Sequence, residues 1–155
     1  MMRRLIETFR IPPKVQVAAL CLRDGTNGPE VMMVRSLERG VWILPKGWPI
    51  PGKTLAEAAR IEAWEEAGVH GTIATQAMAR VPTLKRKSKG LPVQCETHVF
   101  RLDVTSTEDI YPEADKRTRA WMSLEQAAGK AGEPAIASLL TALANQTSIL
   151  DPKPR

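Results

Sequence analysis

The chain has 155 residues, of which 43% are hydrophobic and 25% charged, with a formal net charge of +5 and a pI near 9.5. That length suits one domain with a core large enough to need no covalent staples. Two cysteines, Cys21 and Cys95, are too few for a disulfide framework and fall in apolar runs, so they are expected as buried thiols in a reducing, cytoplasmic setting. No window approaches the roughly 18–20 apolar residues of a membrane span, and the opening MMRRLIETFRIPPK lacks the apolar centre of a signal peptide. The positive charge reads either as a device for solubility or as the mark of a polyanionic partner: nucleotide, nucleic acid or polyphosphate.

In chain order, a short lead closes at Pro12-Pro13. Residues 15–22 (VQVAALCL) read as a buried strand and 30–35 (EVMMVR) as its hairpin partner, joined through a turn at Asp24-Gly25 and Gly28-Pro29. Residues 41–44 form a short strand that delivers Pro45-Lys46-Gly47 to a helix. Two extended stretches follow, 71–84 and 91–104, linked by Lys85-Arg86-Lys87-Ser88-Lys89-Gly90, which reads as a hairpin tip with four cations. Residues 105–114 are a polar, acidic loop and 116–122 a strand. Ser123 opens a short helix with an early acid, and 134–145 an amphipathic helix with Pro134 in its first turn. The order strands, helix, strands, helix predicts an α/β (α+β) sandwich, a mixed sheet between helices. A single domain spans residues 1–155, with its core over about 15–145.

The first helix carries the chemistry. Thr54 and Glu57 have the spacing of a capping box, and Gly68 stands where a left-handed cap would end the helix. Between them Glu62, Glu65 and Glu66 fall within about 100° of arc. Like charges at these spacings cost a helix about 0.2–0.5 kcal/mol per pair. A solvated acidic face would tolerate that cost; a bound Mg²⁺ or Mn²⁺, which takes oxygen ligands, would offset it.

The stretch from Gly47 to Val69 resembles the box of the Nudix hydrolases, G-x5-E-x7-R-E-U-x-E-E-x-G-U with U apolar. Gly47 matches the first glycine, Glu62 the Glu of the R-E pair, Glu65 and Glu66 the E-E pair, and Gly68-Val69 the close. Lys53 stands in place of the first Glu and Ile61 in place of the Arg. The resemblance implies the Nudix α/β/α sandwich. It also implies a Mg²⁺ or Mn²⁺ held by Glu62, Glu65 and Glu66, with a contribution from the Gly47 backbone. The three glutamates would also carry catalysis. In the family the replaced Glu and Arg orient the loop and helix, so the two departures leave the ligand set intact.

The resemblance implies a general base that is either a box glutamate, here Glu62, or an acid on the later loop, Glu108, Asp109 or Glu113, each of which also reads as a simply solvated side chain. The run Trp42-Ile43-Leu44-Pro45-Lys46-Gly47-Trp48-Pro49 resembles the subgroup acting on diphosphoinositol and diadenosine polyphosphates. Lys46 is expected at a phosphate, and Trp48 either on a base or over the helix. Arg35 and the tip cations Lys85, Arg86, Lys87 and Lys89 are further candidates for substrate binding, with Lys116, Arg117 and Arg119 behind them. The tip equally reads as a solvated hairpin end. His70 and His98 read as structural.

The sequence thus predicts a metal-dependent pyrophosphohydrolase acting on a small polyphosphate, with no membrane and no nucleic-acid partner. A diphosphoinositol or dinucleoside polyphosphate is the first substrate. ADP-ribose, a nucleoside triphosphate, capped RNA, or a non-catalytic Nudix sensor of nucleotide or RNA are the alternatives.

Overall fold

Strand β1 (Lys14–Gly25) is buried on both faces. Val17, Ala19 and Cys21 point to one side and Ala18 and Leu20 to the other, each into its own apolar cluster. The period of two along a strand thus demands cover above and below. In the computed structural model, which describes residues 12–85 and 90–150, helix α1 (Leu55–Ala67) supplies one layer. Helices α2 (Leu124–Lys130) and α3 (Pro134–Leu150) supply the other.

β1 forms a hairpin with β2 (Gly28–Arg35) and pairs in parallel with the long β7 (Val93–Thr107), from Lys14 opposite Cys95 to Leu22 opposite Asp103. β2 also carries β3 (Trp42–Ile43) and β8 (Arg119–Ser123), both antiparallel. The sheet is therefore mixed and lies between helices, as predicted.

The stretch 71–84, expected as one extended element, is two strands. β5 (Val69–Ile73) pairs with the far end of β7 and β6 (Ala79–Lys85) with its near end. β7 is long enough to take both, and the chain steps between them on bonds from Ala74 N–H to Arg101 O and from Met78 N–H to Val99 O. β7 also continues to Thr107, so the acidic loop starts at Glu108, later than expected. Helix α3 likewise runs beyond residue 145. Arg86, Lys87, Ser88 and Lys89, expected at the hairpin tip, lie outside the described residues.

Helix α1 packs on the sheet almost entirely through small side chains: Ala56, Ala58, Ala59, Ala63 and Ala67 are buried. Each methyl contributes on the order of 0.8 kcal/mol, and Leu55 is the larger side chain of this helix that packs against the same cluster. What alanines permit is close approach of the helix to the sheet. Beside it lies β4 (Lys46–Gly47), paired with β1 at Val17 and Ala18. This proximity brings the loop before the helix against its acidic face.

The helix ends are tied down polarly. Thr54 Oγ1 accepts the Glu57 N–H at 3.0 Å, the forward half of the expected capping box; the reciprocal box is complete at α2, between Ser123 and Gln126. Gly68 caps the other end at φ 65°, ψ 32°, the left-handed conformation open to glycine. The loop after β7 then satisfies the last carbonyls. Glu113 N–H donates to Glu65 O (2.9 Å), Glu108 N–H to Gly68 O (2.9 Å), and Arg119 Nη1 to Ala67 O (2.6 Å).

Candidate active site

Glu62 and Glu66 meet one helical turn apart on the face of α1 that looks at β4. Gly47 backs onto the Glu62 carboxyl so closely that a Cβ there would overlap it. Glu66 is buried, at 7% exposure. Its Oε1 accepts the backbone N–H of Lys46 at 3.0 Å, and its Oε2 lies 3.7 Å from Arg117 Nη2. The same guanidinium nitrogen donates to Glu113 Oε1 at 2.7 Å. Glu65 is half-buried, and its carbonyl holds the Glu113 loop.

Burial is the main reason both carboxyls hold their protons unusually tightly. Glu62 is pushed up to about 8, first by desolvation, then by the charges of Glu66 and Glu65 and by hydrogen bonding with Glu66. Glu66 is pushed up to about 7 by desolvation, against the opposing pull of Arg117 and of the Lys46 N–H. Hydrogen bonding between the two side chains raises Glu62 further and lowers Glu66.

Among the described residues no three Asp, Glu, His or Cys side chains form a ready-made metal cage. The donor chemistry nevertheless fits a hard cation. Mg²⁺ is generally held by one or two carboxylates, keeping waters and substrate phosphate as its other ligands. The two touching carboxyls, with Glu65 alongside and the Gly47 backbone cleared of any side chain, are oxygen donors of that kind.

The remaining candidates divide by position. Of the loop acids, Glu113 stands at the site through Arg117, and its charge reaches both Glu62 and Glu66. Glu108 is turned instead to the C-terminal end of α1, where Oε2 lies 2.7 Å from His70 Nε2; Asp109 there pairs with Arg119. Trp48 is exposed rather than packed over the helix. Arg35 is exposed above Trp42, 4.9 Å from the ring centroid. Lys85 lines a cavity of about 170 Å³ together with Lys46, Glu66, Arg117 and Glu133. His70 also stacks on Trp64, and His98 bonds Glu96, both structural contacts.

Two cations read from the sequence as a reserve for polyphosphate are otherwise engaged. Arg117 holds Glu66 and Glu113, and Arg119 ties α1 to the following loop while lying over Tyr111. Lys46 Nζ, expected at a phosphate, is paired with Glu133 Oε1 at 2.9 Å, both side chains largely buried. Glu133 was invisible to sequence reasoning. It lies 87 residues from Lys46, and a lone acid before Pro134 looks like any helix start.

A three-layer sandwich with a glycine loop feeding a glutamate-bearing helix defines the Nudix architecture, and the sequence matches the NUDIX domain over residues 12–143. The chain belongs to the Nudix family. It is 33% identical over 110 residues to Nudix hydrolase 13, mitochondrial, of Arabidopsis thaliana, covering 67% of this chain and 54% of that one. It is 30% identical over 147 residues to Nudix hydrolase 18, mitochondrial, of the same plant, covering 93% and 78%. The chain spans about half the length of the first of these relatives. In fold it is similar to a C. elegans Ap4A hydrolase in a binary complex (TM-score 0.66, 22% identity, 87% of this chain and 98% of that one). It is also similar to the NUDIX domain of Shewanella oneidensis NrtR complexed with ADP ribose (TM-score 0.61, 14% identity, 96% and 97%).

Proposed function

We propose that the chain is a divalent-metal-dependent pyrophosphohydrolase, in which water attacks a phosphorus of an X–O–P–O–P linkage. The observation that carries this reading is the juxtaposition of Glu62 and Glu66, the first half-buried and the second buried, with Glu65 and Glu113 close by. Such a cluster is costly as ions unless a cation joins it. When bound, Mg²⁺ or Mn²⁺ would neutralise phosphate oxygens and lower the pKa of an attacking water. Glu62, Glu65 and Glu66 would hold it. Lys46 N–H and Arg117 fix the direction of Glu66, and Arg117 keeps Glu113 beside the pair. Glu62 and Glu113 are the positioned candidates for the general base.

For the substrate, the W-x-L-P-K-G-W-P run supports a diphosphoinositol or dinucleoside polyphosphate, and the likeness in fold to an Ap4A hydrolase supports the second of these. A non-catalytic ligand-binding module is the rival reading. It is favoured by Lys53 and Ile61 in the box and by the likeness in fold to the ADP-ribose-bound NrtR domain. The deciding experiment is a panel of diphosphate compounds at fixed Mg²⁺ and Mn²⁺ with wild type, Glu62→Gln and Glu66→Ala. Turnover that depends on metal and falls by about 10²-fold or more in the variants supports hydrolysis. Ligand binding without phosphate release from any compound, or full turnover in Glu66→Ala, overturns it.

A further inference from the structure

Helix α1 carries Glu66, yet its grip on the sheet is made chiefly of small side chains. Among the described residues no ion pair ties it to the loop over 47–54, where Lys53 is exposed. The bond that joins the root of this loop to the acid runs from Lys46 N–H to Glu66 Oε1, at 3.0 Å. Its direction depends on how firmly the Lys46 peptide is held. β4 has two residues, paired with β1 at Val17 and Ala18 and extended by a bond from Ala19 N–H to Pro45 O at 2.9 Å. That is a short ladder beside the usual strand of about 5–6 residues.

The Lys46 side chain adds a second hold, from the helix layer opposite α1. Its Nζ lies 2.9 Å from Glu133 Oε1. Glu133 is itself fixed. Its carbonyl accepts the Ala137 N–H at 2.9 Å, which sets it at the start of α3, where the helix dipole favours an acid. The preceding Gly132 donates its N–H to Trp42 O at 2.9 Å. It lies so close to β3 that an added Cβ would stand 2.7 Å from Val41 Cβ. Beyond it, Ile136 and Leu140 of α3 are buried in the apolar cluster on that side of the sheet.

The ion pair is a poor source of stability. Its side chains are 12% and 14% exposed, and Glu133 Oε2 is buried with no hydrogen-bond partner among the described residues. Desolvating two charges and leaving one oxygen unsatisfied offsets much of their attraction. What remains is a fixed distance and direction between α3 and β4.

We propose that Glu133 is a positioning residue for Glu66: through Lys46 it holds the β4 N–H that aims the Glu66 carboxylate. The inference rests on the hydrolase reading only in taking Glu66 as an oxygen donor to the cation.

The test uses the full chain, first free of metal and then with Mn²⁺ alone as the probe. Neither arm involves turnover, so failure here is distinguishable from failure of the hydrolase reading. In Glu133→Ala the Lys46 amide is expected to exchange with deuterium about tenfold faster, the scale of one bond to a charged group. Amides at the centre of β1 and β7 are expected to keep wild-type rates, whereas a role in the fold alone would speed both alike. In calorimetric titration, Lys46→Met is expected to weaken Mn²⁺ by about tenfold or more, as the loss of an outer partner does. Charge alone predicts the opposite, because removing a cation beside the carboxyls favours a bound cation. Glu133→Gln, which keeps an acceptor for Lys46 Nζ, is expected to bind Mn²⁺ more tightly than Glu133→Ala. Equal or tighter Mn²⁺ binding in Lys46→Met overturns the proposal. So does exchange at Lys46 that is unchanged in Glu133→Ala or that rises in step with β1 and β7.

Discussion

Gly47 and Glu62 are in direct apposition: a Cβ on Gly47 would lie 2.9 Å from Glu62 Oε2 and closer still to the rest of that carboxyl. The glycine is required by its neighbour and not by its own backbone, since it is absent from the residues with positive φ. The atoms in the way belong to the far end of a flexible side chain, so Gly47→Ala is accommodated by moving the Glu62 carboxyl. The expected outcome is a loss of about 10²-fold in kcat, the scale of an ångström-sized misplacement, with a thermal midpoint close to wild type. Steady-state kinetics beside calorimetric melting checks both halves. A large fall in stability would show that Gly47 serves the fold instead.

Arg117 is the counter-charge that lets Glu66 and Glu113 be buried near one another, its side chain only 7% exposed. Removing one partner from such a cluster leaves uncompensated charge and costs about 3–5 kcal/mol. Arg117→Met is expected to lower the unfolding free energy on that scale, and Arg117→Lys to recover part of it, because an ammonium keeps the charge but not the planar fork. Urea unfolding of the three proteins measures this directly. Equal stability of Arg117→Met and wild type would remove Arg117 from the account.

The two perturbed carboxyls set a pH dependence for the metal-free protein. Glu62 and Glu66 have folded pKa values of about 8 and about 7, both raised above the ordinary 4.5. Between 4.5 and those values the folded state binds more protons than the unfolded one, so stability falls as pH rises. The contribution is fully present below 4.5 and is lost as pH climbs through about 7 and about 8. In chelator, the thermal midpoint is expected to drop across that window, and Glu62→Gln to flatten the drop. On the hydrolase reading, Mg²⁺ restores the midpoint at the alkaline end. A midpoint rising with pH in chelator would contradict the assignment.

Gly68 is a different kind of glycine. Its φ of 65° is strained for any side chain, and an added Cβ would lie 2.6 Å from the Glu108 carbonyl oxygen and 2.7 Å from Arg119 Nη1. Left-handed strain costs about 1–2 kcal/mol and overpacking typically a further 1–3 kcal/mol. Gly68→Ala is therefore expected to destabilise by several kcal/mol, in contrast to Gly47→Ala. Chemical denaturation of the two variants side by side distinguishes a glycine kept for the helix end from one kept for the site.

Much of the site was legible because its parts are local. Thr54, Gly68 and the three glutamates fall at helical spacings, and helical geometry alone puts Glu62 and Glu66 on one face. Gly47 was legible from its place in the box. The strands were legible from short apolar, partly β-branched runs, but not their ends: β7 runs on to Thr107, and 71–84 splits into β5 and β6 because β7 is long enough to pair with both, which no local property of 71–84 announces.

What the sequence by itself determined is therefore the acidic helix and its caps, because short-range periodicity specifies them, together with the glycine loop through the box pattern and the sandwich through the order of elements. Only the tertiary structure decided which charges face the acids. Arg117 arrives from just before β8, 51 positions after Glu66, and Glu133 reaches Lys46 across 87 residues. Ion pairs at such separations leave no spacing to read. They exist only once the sheet, with β1 and β7 paired in parallel, has placed β4, β8 and the start of α3 around the same helix face.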